Sequence, residues 1–313
     1  MPLHVVFGGG PLGRAVLEVL SKRGQPSRLV TRGGKPADAA RSASYDWVSG
    51  DATDPQSARR ACAGASVVYH CAGAPYERWA DLLPKMMEGI IIAAQVAGAR
   101  LVYGDNLYMY GRVEGPITED LPYRPNSVKG KIRAQIAERL LAAHADGTVR
   151  AAIGRGSSFF GPGVLMSHVG DRLFAPALSG GTAVVLGDPD KLHTFTYIED
   201  FGRAMVLLGE REAALGKAWH VPSPETLTHR AFIERVYRLA GTKARVRAIP
   251  RWLVSALGLF SPLLREAKET LYQFENDFVM DSSRYTSAFG VSATPLDDAI
   301  RATLDWYRGQ RKS

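Results

Sequence analysis

The chain has 313 residues, 46% of them hydrophobic, and a formal net charge of +8 at pH 7. This is an ordinary globular composition, and it can supply a core without disulfide bonds or structural metal ions. The two cysteines form neither a disulfide framework nor a metal-ligand spacing. No secretory leader pattern, membrane-length apolar run or long run of basic residues is visible. We therefore expect a cytoplasmic protein with no membrane partner and no nucleic-acid partner.

The first half of the chain alternates short apolar runs with helical patterns. The predicted strands are Leu3–Phe7, Arg28–Thr31, Tyr45–Val48, Ser66–His70, Arg100–Gly104 and Thr148–Ile153. The predicted helices are Leu12–Arg23, Pro55–Ala63, Trp79–Ala97 and Gly130–Ala145. Such alternation predicts βαβ units and an α/β fold of Rossmann type, in which a doubly wound parallel sheet is covered on both faces.

The second half of the chain changes character and predicts a smaller C-terminal α+β region. The predicted elements are a strand at Thr194–Tyr197 and helices at Glu199–Leu208, Trp252–Phe260 and Ala299–Tyr307. We assign residues 1–160 to the sheet domain, with 186–221 returning to it. Residues 161–185 and 222–313 then form the smaller region, where Phe160, Met166, Phe174 and Trp252 are candidates for a pocket or for the core.

A glycine-rich turn follows the first predicted strand directly. Gly8, Gly10 and Gly13 give the spacing G-x-G-x-x-G at the start of the first helix, with Pro11 and Leu12 inside the turn. In such turns one glycine makes the tight bend, one lets the backbone approach a diphosphate, and one lets the helix pack on the strand. The free N–H groups and the positive dipole of the helix N-terminus then favour phosphates. The turn predicts a nicotinamide dinucleotide site.

The residue after the second predicted strand indicates which dinucleotide is bound. An acidic residue there would bind the ribose hydroxyls of NAD, but the chain has Arg32. An arginine favours the 2′-phosphate of NADP, and Lys35 lies nearby in the sequence. We therefore expect NADP, with NAD as the alternative if Arg32 is only a surface residue.

Several further segments resemble the extended short-chain dehydrogenase/reductase family, which includes NAD(P)-dependent epimerases, dehydratases and ketone reductases. They are GDA at residues 50–52, VVYHCAG at 67–73, GRGSSFFGPG at 154–163, TFTYIEDF at 194–201, and the region 278–307. The resemblance runs in order along nearly the whole chain. It implies that the following residues contact the cofactor: Asp51, Ala52, Cys71, Ala72, Gly73 and Ser158.

The catalytic positions depart from the family pattern, which pairs a Ser or Thr with Tyr-x-x-x-Lys. No tyrosine of this chain is followed four residues later by a lysine. DNLYMYG at residues 105–111 stands where the family has S-S-x-x-V-Y-G, so Asn106 falls on the serine. PNSVKGKIR at residues 125–133 stands where the family has P-x-S-x-Y-G-x-S-K, so Lys129 falls on the tyrosine and Arg133 on the lysine.

These substitutions leave several roles open. Arg133 can still hold the cofactor ribose, and Asn106 can donate a hydrogen bond to a substrate oxygen. Lys129 either transfers a proton or binds a substrate carboxylate or phosphate as a fixed cation. Tyr108 could supply the missing phenol. Asp105 is a further candidate base, with a cap or turn residue as the alternative.

We expect an NAD(P)-dependent oxidoreductase or epimerase/isomerase that acts on a small carbonyl or hydroxyl substrate, with an anionic substrate as one option. Two alternatives stay open, a cofactor-binding sensor without catalysis and a lyase or cyclase on the same scaffold. Relatives often dimerise through two helices, so a homodimer through Trp79–Ala97 and Gly130–Ala145 is also an expectation.

Overall fold

The computed structural model describes residues 1–33, 45–250, 252 and 268–310. Lys35 and all of the predicted helix at residues 252–260 except Trp252 itself lie outside the described residues. The chain divides into two compact units. The first contains Met1–Met109, Lys131–Arg155 and Phe201–Trp219, and the second contains Tyr110–Gly130, Gly156–Asp200 and His220–Ser313.

The elements up to residue 155 follow one another in the order that the sequence predicts. Up to residue 155 they are β1 (Leu3–Phe7), α1 (Pro11–Lys22), β2 (Ser27–Thr31), β3 (Asp46–Ser49), α2 (Pro55–Ala61), β4 (Ala65–His70), α3 (Trp79–Ala97), β5 (Arg100–Asp105), α4 (Val128–Ala145) and β6 (Arg150–Arg155). Beyond it they are β7 (Ser158–Phe160), α5 (Asp171–Ser179), β8 (Ala183–Leu186), β9 (Leu192–His193), β10 (Phe195–Tyr197), α6 (Ile198–Glu210), β11 (Ala218–His220), β12 (Leu227–Thr228), α7 (His229–Ala240), β13 (Val246–Ile249), α8 (Tyr272–Glu275), α9 (Ser283–Phe289) and α10 (Leu296–Gln310).

The central sheet confirms the predicted Rossmann-type fold. Among the described residues it has seven strands in the order β11-β6-β5-β4-β1-β2-β3. The pairings from β3 through to β6 are all parallel. The chain builds outward from β1 to β3, then crosses back to β4 and builds the other way. Because parallel crossovers are right-handed, this reversal puts helices on both faces and makes β1 and β4 the switch point of the sheet.

Two glycines let helices of the first unit pack closely. A Cβ atom on Gly89 of α3 would lie 2.1 Å from the carbonyl oxygen of Ala52, and one on Gly202 of α6 would lie 2.7 Å from Ala15 of α1. The inner strands β1, β2, β4, β5 and β6 are mostly apolar and buried, as strands covered on both faces should be, whereas β3 at the edge is not buried. Their buried residues include Val5, Val6, Leu29, Val68, Leu101, Val102 and Ile153.

The second unit has its own core, built around stacked aromatic rings. Phe160 lies 5.2 Å from Phe232 and 6.4 Å from Phe174 between ring centroids, and Phe174 stacks on Tyr307 of α10. Short strand pairs surround this core, with β7 on β10, β9 on β12, and β8 on β13. Phe160 and Phe174 are therefore core residues, whereas Met166 and Trp252 are exposed.

The domain boundaries drawn from the sequence need correcting. Residues 110–130 and 156–160 were assigned to the sheet domain, and 186–200 to its returning segment, but all three cluster with the second unit. Backbone pairing is the reason. Ile117 bridges to Met280, and β7 pairs with β10. Pairings between segments so distant in the chain leave no signal in local composition.

The described residues form no helix that is long and apolar enough to cross a lipid bilayer. Both cysteines are free thiols, Cys62 being buried and Cys71 half-buried.

Candidate functional site

The glycine turn between β1 and α1 is built from close backbone contacts at the switch point. Gly8 has φ +103°, and a Cβ atom there would lie 2.7 Å from the backbone of Ala72. A Cβ atom on Gly13 would lie 1.9 Å from the carbonyl oxygen of Gly8. The loop after β4 is tied to β1 by the Cys71 N–H, which donates to the Phe7 oxygen at 2.9 Å. Glycine is therefore required at positions 8 and 13 by the fold itself.

The start of α1 has the features that a diphosphate needs. Gly10 is the N-cap, and a Cβ atom there would meet nothing within 4 Å. No side chain caps the helix, Pro11 occupies the first turn, and that turn contains no acidic residue. The amide groups of a helix N-terminus attract anions when no side chain of the protein occupies them. This open N-terminus fits a dinucleotide phosphate.

Other predicted cofactor residues flank the same switch point in the first unit. Asp51 follows β3, and its Oδ1 accepts hydrogen bonds from the N–H and the hydroxyl of Thr53, both at 2.8 Å. Ala52 is buried, Ala72 is half-buried and Gly73 is exposed. Arg32 follows β2, is exposed, and makes no hydrogen bond or ion pair with any described residue. Its guanidinium is thus available to a phosphate.

A buried charge cluster lies at the end of β5, also in the first unit. The Asp105 carboxylate is fully buried; its Oδ1 accepts from Arg133 Nη1 at 3.2 Å, and its Oδ2 lies 3.6 Å from Arg155 Nε. Burial raises the pKa of Asp105, while the two guanidiniums oppose that rise. Arg133 also donates to the Tyr103 hydroxyl. Asp105 is therefore neither an exposed base nor a cap or turn residue.

Trp79 connects this cluster to the residues predicted for catalysis. The Arg133 guanidinium lies 4.3 Å from the centroid of the Trp79 ring, and the Tyr108 ring stacks on Trp79 with a centroid distance of 6.2 Å. The Tyr108 N–H in turn donates to Asn106 Oδ1 at 3.0 Å. Burial lowers the pKa of Arg133, but Tyr103, Asp105 and, last, Tyr108 raise it above its usual value. The first unit thus brings Asn106, Tyr108 and Arg133 together.

The guanidinium of Arg133 is not fully used by the protein. Its Nε is buried and has no hydrogen-bond partner among the described residues. An unsatisfied buried donor costs free energy unless a ligand satisfies it. This orphaned N–H is a second feature that fits a bound cofactor.

Lys129 belongs to the second unit, although it lies in α4 four residues before Arg133. Its side chain is 4% exposed, and its Nζ lies 3.6 Å from Glu269 Oε2. The same carboxylate oxygen accepts the Lys129 backbone N–H at 3.3 Å. Glu269 therefore contacts both the ammonium group and the first turn of α4, and the sequence analysis did not identify this residue.

A polar cavity of about 610 Å³ lies in the second unit. Its walls are formed by Arg112, Asn126, Lys268, Glu269, Tyr272, Glu275 and Asn276. The side chains of Arg112 and Lys268 make no hydrogen bond or ion pair with a described residue. The Tyr272 hydroxyl is buried and has no hydrogen-bond partner among those residues. The cavity thus offers donors of both charged and neutral kinds to a ligand.

Ser158 also belongs to the second unit, where it contacts a pair of buried histidines. His193 Nε2 lies 2.8 Å from the Ser158 hydroxyl, and His193 Nδ1 lies 3.2 Å from the Gln273 carbonyl oxygen. Because the carbonyl can only accept, Nδ1 donates to it and Nε2 accepts from Ser158. The centroid of the His229 ring lies 4.6 Å from that of the His193 ring. No group of His, Cys, Asp or Glu residues within the described ranges is arranged to hold a metal ion.

Comparison with known proteins agrees with this architecture. Residues 4–221 match the model of the "NAD dependent epimerase/dehydratase family". A 3beta-hydroxysteroid-dehydrogenase/decarboxylase of Arabidopsis thaliana is 23% identical over 309 residues, which cover 86% of this chain but only 53% of that protein. A dTDP-glucose 4,6-dehydratase of Streptomyces griseus is 24% identical, with 97% of this chain and 88% of that protein covered.

Solved structures show the same fold. The UDP-glucuronic acid 4-epimerase of Bacillus cereus, solved with UDP-glucuronic acid and NAD, superposes with a TM-score of 0.79 at 18% identity, covering 98% of this chain and 99% of that one. The family model matches well over half of the chain. The chain therefore belongs to the NAD dependent epimerase/dehydratase family, a family of enzymes.

Proposed function

We propose that the chain binds NADP(H), with NAD(H) as the alternative, and catalyses oxidoreduction or epimerisation of a small carbonyl or hydroxyl compound. The observation that carries this proposal is the glycine turn at the switch point, where Gly10 leaves space above an uncapped helix N-terminus. The residues that would hold the cofactor are Gly8, Gly10, Pro11, Leu12, Gly13, Arg32, Asp51, Ala52, Cys71, Ala72, Gly73, Arg133 and Ser158. When bound, the nicotinamide ring supplies a hydride donor or acceptor.

Calorimetric titration of the whole chain with oxidised and reduced NAD and NADP tests the proposal. Saturable binding of one of the four, at a stoichiometry of one per chain, is the expected result. No saturation with any of them would remove the basis of the enzymatic role.

The proposed chemistry uses Asn106, Tyr108 and Arg133 of the first unit. Asn106 Oδ1 is engaged by the Tyr108 N–H, and its amide nitrogen makes no hydrogen bond with a described residue, so it can donate to a substrate oxygen. The half-buried phenol of Tyr108, whose ring stacks on the same Trp79 ring as the Arg133 guanidinium, is the candidate proton donor or acceptor. Arg133 offers its orphaned Nε–H to the cofactor ribose.

The polar cavity of the second unit supports a small polar substrate, and its cations Arg112 and Lys268 suit one that carries an anionic group. Lys129 lies beside Glu269 of that cavity wall, which favours the role of a fixed cation over that of a proton carrier.

A homodimer through α3 and α4 is part of the proposal, and sedimentation velocity tests it.

Arg32→Ala is expected to raise the Kd for NADP by about 10- to 100-fold, the equivalent of one charge-assisted hydrogen bond to phosphate. The Kd for NAD should change less than about two-fold, because NAD carries no 2′-phosphate. Arg23→Ala is the matched control, since Arg23 lies at the other end of α1 and pairs with Glu210 at 3.0 Å. Equal weakening of both cofactors by Arg32→Ala would refute the 2′-phosphate role.

Lys129→Ala is expected to lower turnover by at least about 100-fold, the usual contribution of a positioned catalytic or binding group. Cofactor affinity should stay within a few-fold of the original value. The measurement is hydride transfer from stereospecifically labelled cofactor across a panel of sugar, steroid and hydroxy-acid carbonyls. Full activity in the Lys129→Ala protein would exclude this residue from the mechanism.

The substituted Tyr-x-x-x-Lys positions favour one alternative, a cofactor-binding sensor without catalysis. The same labelled-cofactor panel distinguishes the two functions. Saturable binding without any hydride transfer across the panel is the result expected of the sensor.

A further inference from the structure

The Asp105 carboxylate is buried completely, at a cost that only nearby cations can offset. Arg133 and Arg155 are the cations that its two oxygens face, at 3.2 and 3.6 Å. The cluster holds two positive charges against one negative charge. Replacement of Asp105 by a neutral residue would therefore remove the carboxylate that both buried guanidiniums face.

The guanidinium of Arg133 is held from three directions. Asp105 and the Tyr103 hydroxyl both engage its Nη1, and the Trp79 ring lies 4.3 Å from its Cζ. The planar guanidinium of arginine can donate hydrogen bonds to a carboxylate while its flat face lies on an aromatic ring. The ammonium of lysine is a point charge on a flexible chain and cannot do both. These contacts fix the orientation of the group and leave Nε for a ligand.

The same two positions are both changed from the family pattern. The pattern S-S-x-x-V-Y-G puts serine at position 105, and the pattern Y-G-x-S-K puts lysine at position 133. This chain has an acid at the first position and an arginine at the second, in direct contact with each other. Asp105 therefore supplies a charged acceptor for the planar Arg133 guanidinium.

We propose that Asp105 is a positioning residue that orients Arg133 against Trp79 for cofactor binding, so that Asp105 and Arg133 function as one unit in place of the family's serine and lysine. This inference rests on the proposed function, in which Arg133 holds the cofactor. It predicts that exchange of either residue weakens cofactor binding and that the two losses are not additive, because Asp105 acts only through Arg133.

The test is a double-mutant cycle of Asp105→Ser, Arg133→Lys and the double variant, with NADP affinity and urea unfolding measured for all four proteins. Each single variant is expected to bind NADP about 10-fold more weakly, a typical coupling for residues in contact. The double variant is expected to bind about as weakly as a single variant, because loss of the guanidinium already removes what Asp105 contributes through it. Additive losses in the double variant would overturn the proposal.

A merely structural role gives a different pattern. It would move the unfolding midpoint of Asp105→Ser while the folded protein keeps its NADP affinity, and this outcome would also overturn the proposal. If Asp105→Ser does not fold, Asp105→Asn keeps the side-chain volume and replaces it in the cycle.

If neither the variants nor the original chain binds a dinucleotide, the proposed function fails. In that case non-additive destabilisation in the double variant supports the pairing of the two residues, and additive destabilisation overturns it.

Discussion

Gly10→Ala is expected to weaken nicotinamide dinucleotide binding by at least about 100-fold, or about 2.7 kcal/mol, while the free energy of unfolding stays unchanged. The backbone at Gly10 has φ −73° and ψ −178°, which alanine adopts without strain. A methyl group there meets no atom of the protein within 4 Å. It would instead occupy the space through which the backbone approaches a diphosphate. Calorimetry and urea unfolding measure the two quantities.

Gly13→Ala separates the ligand effect from the effect on the fold. Its methyl group would lie 1.9 Å from the Gly8 carbonyl oxygen, so the turn must deform even without a ligand. We expect the free energy of unfolding to fall by roughly 2–4 kcal/mol. Gly309→Ala is the control, since nothing lies within 4 Å of that position on α10. Unchanged dinucleotide affinity in Gly10→Ala would show that the turn does not receive the diphosphate.

Acidification from pH 7.5 to 5 is expected to destabilise the second unit by about 4 kcal/mol through His193 and His229. Both side chains are buried. Burial lowers the pKa of His229 to about 3 and that of His193 well below its usual range. The folded state therefore keeps both rings neutral down to low pH, while the unfolded chain protonates them near pH 6.5. The stability that the two neutral rings contribute is present in full above pH 6.5. It is lost as the pH falls toward the pKa values that the rings have in the folded state.

The variant His229→Phe tests this dependence. Phe195 and Phe274 surround the ring, and His229 Nε2 has no hydrogen-bond partner among the described residues, so an apolar ring suits the position. The loss of stability between pH 7.5 and 5 should shrink by about 2 kcal/mol, one imidazole's share. Urea unfolding at both pH values measures it. An identical pH dependence in the variant would mean that His229 takes up no proton on unfolding.

The fold could be predicted because its signals are local. The glycine spacing at residues 8–13 and the apolar strand runs need only neighbouring residues, and the predicted helix Trp79–Ala97 has the observed bounds. The site was predicted only in part. Asn106, Tyr108 and Arg133 were predicted from motif alignment, and the first unit does bring them together.

The partners of these residues could not be predicted from the sequence. Glu269 is 140 residues from Lys129, and Asp105 is 28 residues from Arg133. Burial of a charge depends on which distant segments fold over it, and hydrophobic periodicity carries no information about that. Trp79 was predicted only as the first residue of a helix, because its stacking on Arg133 and Tyr108 depends on three separate elements.

The buried Asp105–Arg133–Arg155 cluster restricts the order in which mutations can accumulate in this lineage. A chain that acquires serine at position 105 while Arg133 and Arg155 remain would lose the carboxylate that both guanidiniums face, and selection against its lower stability would act before a second change could occur. An exchange of Arg133 for lysine keeps a cation beside Asp105, so the lysine can arise first and serve as the intermediate. Ancestral reconstruction can look for that intermediate.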